Sequence, residues 1–516
     1  MKKVLLIGPN TLVPITDMRW CTAPLGVHHI ASYLNSHGHK AEVWDCNLNG
    51  EPFADAIKRE RWDFVGFSVL EATVETDLAR IHEAKRLSPN SLLVAGGTGA
   101  SLNYQTLFEK SPLDLGVFAE GEIPILELCE GKPWQDIDGI VFRRYARQMT
   151  KDEYWNIRKC LDMKAMRARE YWAKTAALYE SPDWNEVNTF RIYTMSHCPM
   201  GCNFCTLTRL RRYSCGKDMP VVALEVGQVT ELTKRVMAEY PECRQIFIVD
   251  DDAFLMPNRT IELCRAIIAE KIAGGLPKDL KFICLTNINR LNEGNLPLIA
   301  EAGFRVISIG VESTSQKVLD SYNKRQTVHQ IWETTKLILR YGIRPYYTLI
   351  LFSPSGEIDD LQIDLAGFRK LADMGAGLSI EPFLIPLRGT EFFERGYRQR
   401  IRECKIAGTN LSIHKGFAWL PQDAKAYEVF EVFESVYPRY RKYVFGTTPN
   451  IHHEKNFQSK IILDSLEYVL RARFGLNVID ARLADSDLAK MECAVARYGD
   501  MDVDVVGNVI EKGAGM

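Results

Sequence analysis

Three thiols stand close together in the segment Met195–Leu207, MSHCPMGCNFCTL, where Cys198, Cys202 and Cys205 form a C-x3-C-x2-C arrangement. Three thiolates can bind three irons of a 4Fe–4S cube and leave the fourth iron without a protein ligand, open to substrate. A four-cysteine site would be closed. Pro199 and Gly201 suit a tight loop whose backbone amides can point at the cluster sulfides. Spacing alone also admits structural zinc or plain buried thiols. Zinc needs a fourth ligand: His197 is badly placed to complete a tetrahedron with its own neighbour, and Cys215 is the other candidate. The chain holds 13 cysteines, an odd number, and shows no export signal. Reduced thiols are therefore expected, and a tight cysteine group reads as metal-binding, not bridged.

The elements that must position these thiols follow from the apolar pattern. Up to residue 145, short apolar strands alternate with helical stretches, the pattern of a parallel α/β sheet. The expected strands are Lys3–Gly8, Lys40–Asp45, Phe64–Val69, Leu92–Gly97 and Leu115–Glu120, with amphipathic segments Gly26–Ser36 and Thr73–Arg86 between them. Polar and glycine-rich features fall where strands end: Ser68, then Gly96-Gly97, then Glu120-Gly121-Glu122. In an open parallel sheet the crevice beyond the carboxyl ends of the strands receives ligands, although glycines there also serve tight turns.

Residues 146–188 read as a charged, helical linker. A second α/β series occupies 189–395, with strands at Arg191–Ser196, Gln245–Asp250, Lys281–Thr286, Val306–Gly310, Tyr346–Leu351 and Ser379–Ile385. Six such units fit a partial (β/α)6 barrel whose active site lies at the strands' C-terminal ends. From Gly396 to residue 516 the pattern turns helical and aromatic, with Gly446–His453 read as a loop and Met501–Met516 as a frayed tail or a small capping strand. Formal net charge is −2, which gives bulk electrostatics no reason to recruit nucleic acid or an anionic membrane. The opening apolar run, Val4–Ile7, is too short for a signal core or a membrane span, so the protein reads as cytoplasmic.

C-x3-C-x2-C at the end of a first barrel strand resembles the radical S-adenosylmethionine (SAM) superfamily. Later segments are similar to the same barrel: IFIVDDDAF at Ile246–Phe254, LTNINRL at Leu285–Leu291, ISIGVESTSQKVLDSYNK at Ile307–Lys324 and PLRGTEFF at Pro386–Phe393. The resemblance implies that SAM is held by Phe204, beside the adenine, by Asp251 within Asp250–Asp252, and by Asn287, Glu312 and Ser313. One departure is that the family's Gly-x-Pro-Gly-Glu segment is replaced by Ser353-Pro354-Ser355-Gly356-Glu357.

The first domain looks like the flavodoxin-like cobalamin-binding domain that precedes the barrel in one large subclass, which includes the class B methyltransferases. Ser68-x-Leu70 and Gly96-Gly97 match two signatures of cobalamin folds, and Pro24-Leu25-Gly26 resembles the subclass's own opening. Glu120, Gly121 and Glu122, at the last strand end, complete the expected cobalamin contacts. The general Asp-x-His-x-x-Gly signature is missing, because residues 9–27 contain no histidine. That absence implies a lower cobalt face without an imidazole ligand.

The resemblance implies three cofactors: a 4Fe–4S cluster, SAM and cobalamin. The cluster would reduce SAM to a 5′-deoxyadenosyl radical, which takes hydrogen from an unactivated carbon, and cobalamin would deliver a methyl group. Methylation of a small molecule is the first reading, with an external electron donor such as flavodoxin or ferredoxin. Ring formation or deoxygenation without methyl transfer fits the same scaffold, and a non-catalytic cobalamin or redox sensor is the reading from another class. His28 and His29 on the first helix read as core or solvated residues, Arg209, Arg211 and Arg212 as salt-bridged surface, and Tyr346 and Tyr347 as barrel core. No residue stands out as a general acid or base.

Overall fold

The computed structural model describes residues 1–9, 23–48, 50–141, 147–178, 187–447 and 456–497. Five short strands, β1 (Lys3–Ile7), β2 (Lys40–Trp44), β3 (Phe64–Ser68), β4 (Leu92–Gly96) and β5 (Leu115–Gly116), form a parallel sheet in the order β2-β1-β3-β4-β5. Alternation along each strand divides the apolar residues between two faces. Leu5, Ile7, Val65, Phe67, Leu93 and Ala95 pack into one core, beneath the helices Phe53–Lys58 and Val74–Leu87. Val4, Leu6 and Val94 face the other way, into a core continuous with the rest of the protein. The fifth strand is shorter than its sequence suggests. Beyond Gly116 the chain turns to bridge Val117 with Ile140.

A second parallel sheet follows in the order β11-β10-β9-β8-β7-β6, made by β6 (Thr189–Ile192), β7 (Gln245–Ile248), β8 (Lys281–Thr286), β9 (Phe304–Glu312), β10 (Arg344–Phe352) and β11 (Gly377–Phe383). Sequential order with a helix after each strand is the partial barrel expected. The strand ends shift by a few residues because burial on both faces erases the polar boundary that marks them.

The connector contributes two described helices, Lys151–Lys159 and Ala168–Leu178. Their residues Tyr154, Ile157, Tyr171 and Trp172 are buried in the shared core, with Trp172 edge-on to Tyr240 of the barrel. This segment cements the two domains together.

Helix Ala424–Thr447, helix Phe457–Tyr468 and helix Asp485–Arg497 follow the barrel. One element departs from the helical expectation. β12 (Gln399–Lys405) and β13 (Ser412–Trp419) form an antiparallel hairpin directly after the barrel. The alternation in QRIRECK, bounded by the turn at Gly408, carries that signal in retrospect. Gly446 lies inside the long helix, whereas most of the loop expected at 446–453 and the tail 501–516 lie outside the described residues. No described helix is long and apolar enough to cross a membrane.

Candidate cluster and cofactor site

Asp250, just past β7, fixes the start of the cysteine loop. Its buried carboxylate accepts hydrogen bonds from the backbone amides of Thr194 (2.6 Å) and Met195 (2.9 Å) and from the Thr194 hydroxyl. The far side of the loop is laced to the segment after β9. Asn203 donates its backbone amide to Tyr322 O (3.0 Å) and its side-chain amide to Ser321 O (2.8 Å), and Asn323 donates to Gly201 O (3.0 Å). Gly201 adopts φ +71°, where a side chain would be strained.

Cys198, Cys202 and Cys205 are partly exposed and lie close enough to raise one another's thiol pKa. Burial dominates: it pushes Cys198 up to about 11 and Cys205 up to about 12, against backbone amides that favour the thiolates. Thiols raised this far keep their protons at neutral pH unless a metal centre replaces them, which is what an iron–sulfur cluster does. The donor set fits that group: three thiols on one loop, with amides of Met200 and Leu207 aimed at them. Among the described residues no three His, Cys, Asp or Glu side chains gather around a single ion.

Glu312 closes β9 with φ +69° and is buried against Lys324, whose Nζ lies 3.1 Å away. Lys324 Nζ also sits 5.8 Å from the Phe204 ring centroid, and its charge offsets part of the burial that raises the Cys202 thiol. The structure therefore brings Phe204, Glu312, Cys202 and Cys205 together around a lysine that sequence reasoning missed. Lys324 lies twelve residues beyond Glu312, at a spacing that carries no local signal. Ser313 turns the other way. It is fully buried, and its hydroxyl donates to Asp364 at 2.8–2.9 Å. Asp364 also accepts from Thr314 N (2.5 Å) and Thr314 Oγ1 (2.8 Å), so Ser313 shapes the strand end instead of reaching into the barrel. Asn287 is partly committed as well, since its Oδ1 caps the short turn at Asn289 N (3.0 Å). Asp252 braces that turn through Thr286 Oγ1 (2.7 Å) and Arg290 Nε (3.0 Å).

Between the two domains lies a cavity of about 390 Å³. Its first wall is the carboxyl edge of the first sheet, including Ser68, Leu70, Gly96, Gly97, Glu120, Gly121 and Glu122. Its second wall is the barrel mouth: Ser196, His197, Arg211 and Asp251. Seven of the nine predicted cobalamin residues thus share one cavity with Asp251, a predicted SAM residue. Pro24 and Leu25 do not line it. Pro24 caps the first helix beside Gly8 and Leu25 opens that helix, buried in the core, while their neighbours Gly26 and Val27 reach the wall. Gly97, at φ +92°, keeps the wall thin, because a Cβ there would lie 2.6 Å from Val69 O.

One ion pair joins the two walls, and the neighbouring arginines pair within the barrel region. Arg211 ion-pairs with Glu120, Arg209 with Glu391 and Arg212 with Asp218. Arg158 of the connector lies 3.2 Å from Glu122, both buried. Asp251 is pushed up to about 6 by burial and by Asp250 beside it. His28 and His29 are both core residues, as one reading of the sequence had it, and Tyr347 is core with its hydroxyl against Thr335.

The comparisons agree with this division. The model of the Radical SAM superfamily matches residues 192–363, and that of the B12 binding domain matches residues 13–129. The uncharacterized methyltransferase PH0819 of Pyrococcus horikoshii is 22% identical over 406 residues, 76% of this chain and 82% of that one. An anaerobic magnesium-protoporphyrin IX monomethyl ester cyclase of Cereibacter sphaeroides is 22% identical over 357 residues, 65% of this chain and 54% of the cyclase. Among solved structures, the radical SAM methyltransferase TsrM from Kitasatospora setae, with cobalamin and a [4Fe-4S] cluster bound, superposes with a TM-score of 0.61. It shares 15% identity and covers 97% of this chain and 99% of its own. That likeness establishes the fold.

Proposed function

As a radical SAM enzyme with a B12-binding domain ahead of its barrel, the chain is, we propose, a cobalamin-dependent methyltransferase acting on an unactivated carbon of a small molecule. The observation that carries this reading is the single cavity of about 390 Å³ that joins Ser68 and Gly97 on one wall to His197 and Asp251 on the other. A methyl donor seated on the first sheet and a substrate seated in the barrel mouth would face each other there. Cys198, Cys202 and Cys205 would hold the cluster, Phe204, Glu312, Asn287 and Asp251 would contact SAM, and the glycine-lined edge would hold cobalamin. Bound together, these groups supply a 5′-deoxyadenosyl radical for hydrogen abstraction and a transferable methyl group.

The chain's own residues position and enclose. Asp250 and Asn203 fix the cysteine loop, and Asp364 fixes the β9 end. The paired charges of Arg211 and Arg158 hold the walls together and keep water from the radical step. Reducing equivalents would come from a small redox protein such as flavodoxin or ferredoxin.

The test is anaerobic purification from cells supplied with cobalamin, cluster reconstitution, then incubation with SAM and dithionite. Both 5′-deoxyadenosine and S-adenosylhomocysteine, with cobalamin bound, are expected. The cyclase relative favours a second reading, ring formation without methyl transfer, which deoxyadenosine alone would support. Neither product from protein with an intact cluster would refute both.

A further inference from the structure

The cysteine loop meets solvent at its tip, where Pro199 is exposed and Met200 and Cys202 are partly exposed. Two segments flank that tip. Arg290, after β8, donates to the Met200 sulfur at 3.2 Å, and Asn323, after β9, donates to Gly201 O. The flanks are joined, because Asn289 donates its side-chain amide to Arg325 O at 2.6 Å.

Arg325 is the unusual residue of this face. Its backbone sits at φ +53°, in the left-handed region that strains an ordinary side chain and suits glycine. Its side chain is exposed, and its guanidinium has neither an ion pair nor a hydrogen bond among the described residues. Arg167, the other arginine at positive φ, pairs with Glu170 instead. A glycine at 325 would relieve the backbone without breaking a polar side-chain contact within the described protein. A charge held in a strained turn with nothing to bind in its own chain points to a partner outside it.

The position says which kind. The face is built by Pro199–Asn203, Asn287–Leu291 and Asn323–Thr327, which hold Arg290, Lys324 and Arg325 and no acidic residue. Lys324 and Arg290 are answered by the buried carboxylates of Glu312 and Asp252, which leaves Arg325 as the outward charge. The Arg325 charge reaches Cys202, where it works against the burial that raises the thiol. An unanswered cation at the solvent edge of a cluster ligand suits an acidic protein that must bring an electron close to the cluster.

We propose that the face formed by Pro199, Met200, Arg290 and Arg325 is the docking surface for an acidic one-electron carrier protein, with Arg325 as its charged contact. This rests on the cluster reading above. The carrier's reduced centre loses one electron and the cluster gains it, and no other group changes oxidation state.

The test uses the reconstituted full chain with Arg325→Gly, Arg325→Glu and Arg325→Lys, and reads 5′-deoxyadenosine formed from SAM. Reduced flavodoxin, reduced ferredoxin and dithionite with methyl viologen serve as donors, the last a small donor that needs no docking. Arg325→Gly is expected to leave Tm unchanged or raised and the viologen-driven rate unchanged. Its KM for the better of the two protein donors rises about threefold to tenfold. Arg325→Glu raises that KM further, Arg325→Lys restores most of it, and added salt slows wild type more than the glycine variant. An unchanged KM in the glutamate variant would overturn the surface. Equal slowing with protein and viologen donors would place the effect on the cluster itself and overturn it too. So would a wild type that viologen drives and neither protein does. A wild type with an intact cluster that no donor drives would overturn the radical SAM reading first, and the surface with it.

Discussion

At the scale of single residues, the site is built from pairs that cannot be changed one side at a time. Glu312→Gln leaves the Lys324 ammonium buried beside the cluster loop without its partner, a change that costs about 3–5 kcal/mol in comparable pairs. The double change Glu312→Gln/Lys324→Met is expected to recover most of that in denaturant titrations, while SAM cleavage stays at least tenfold down in both. Recovery of cleavage in the double variant would remove Glu312 from the SAM site. Replacing Cys198, Cys202 or Cys205 by Ala is expected to abolish 5′-deoxyadenosine formation and the cluster's visible absorption together. The cysteines were legible because their spacing is local. Lys324, Asp364 and Arg158 were not, because each gains its role from a partner that only folding brings near.

At the scale of elements, the first helix, Leu25–Ser36, carries a pH dependence that belongs to its own packing. Burial lowers His28 to about 4, well below its ordinary 6.5, in spite of Asp45 and Asp162 nearby. The unfolded chain takes the proton first, so His28's share of stability is full above pH 6.5 and falls away as the pH drops toward 4. Its size is on the order of 3 kcal/mol. In urea melts between pH 7.5 and 5, a His28→Leu variant is expected to lose less stability than wild type. Equal losses would clear His28.

The exposed edge of β11 is a second element-level feature. Asn456 accepts from Leu378 N (2.8 Å) and donates to Ala376 O (2.9 Å), and Ser459 donates to Leu378 O (3.0 Å). Two side chains thus take the place of a neighbouring strand and end the sheet. Asn456→Ala is expected to lower stability by about 1–3 kcal/mol, read from the urea midpoint. The barrel strands themselves were readable from their apolar runs, though not their exact ends. The cap was not, since an Asn and a Ser beside a helix start look like ordinary N-cap chemistry.

At the scale of the whole molecule, the hairpin β12–β13 ties the last part of the chain to the first. Ile406 and Ile413 are buried in the core beneath β1, β3 and β4, and Lys415 Nζ donates to Ala72 O at 3.1 Å. Ile413→Asp places an unpaired charge in that core. It is expected to lower the thermal midpoint of the whole protein and to release bound cobalamin, although residue 413 lies far from the cavity wall. Unchanged cobalamin retention at a lowered midpoint would show that the hairpin holds the fold and not the cavity. The alternation of this hairpin was visible in the sequence, but its destination was not, because nothing local in residues 399–419 names a partner some 300 residues earlier.

The same hairpin sets an order of events in the cell. A first domain normally completes its core as it leaves the ribosome. Here part of that core is translated about 300 residues later, on the order of 15–60 s at ordinary elongation rates. Until then the part of the core that Ile406 and Ile413 cover in the folded protein lacks those two side chains. Chains stalled before the hairpin are therefore expected to bind chaperones more strongly than the full-length chain, which pull-down from stalled ribosomes would check.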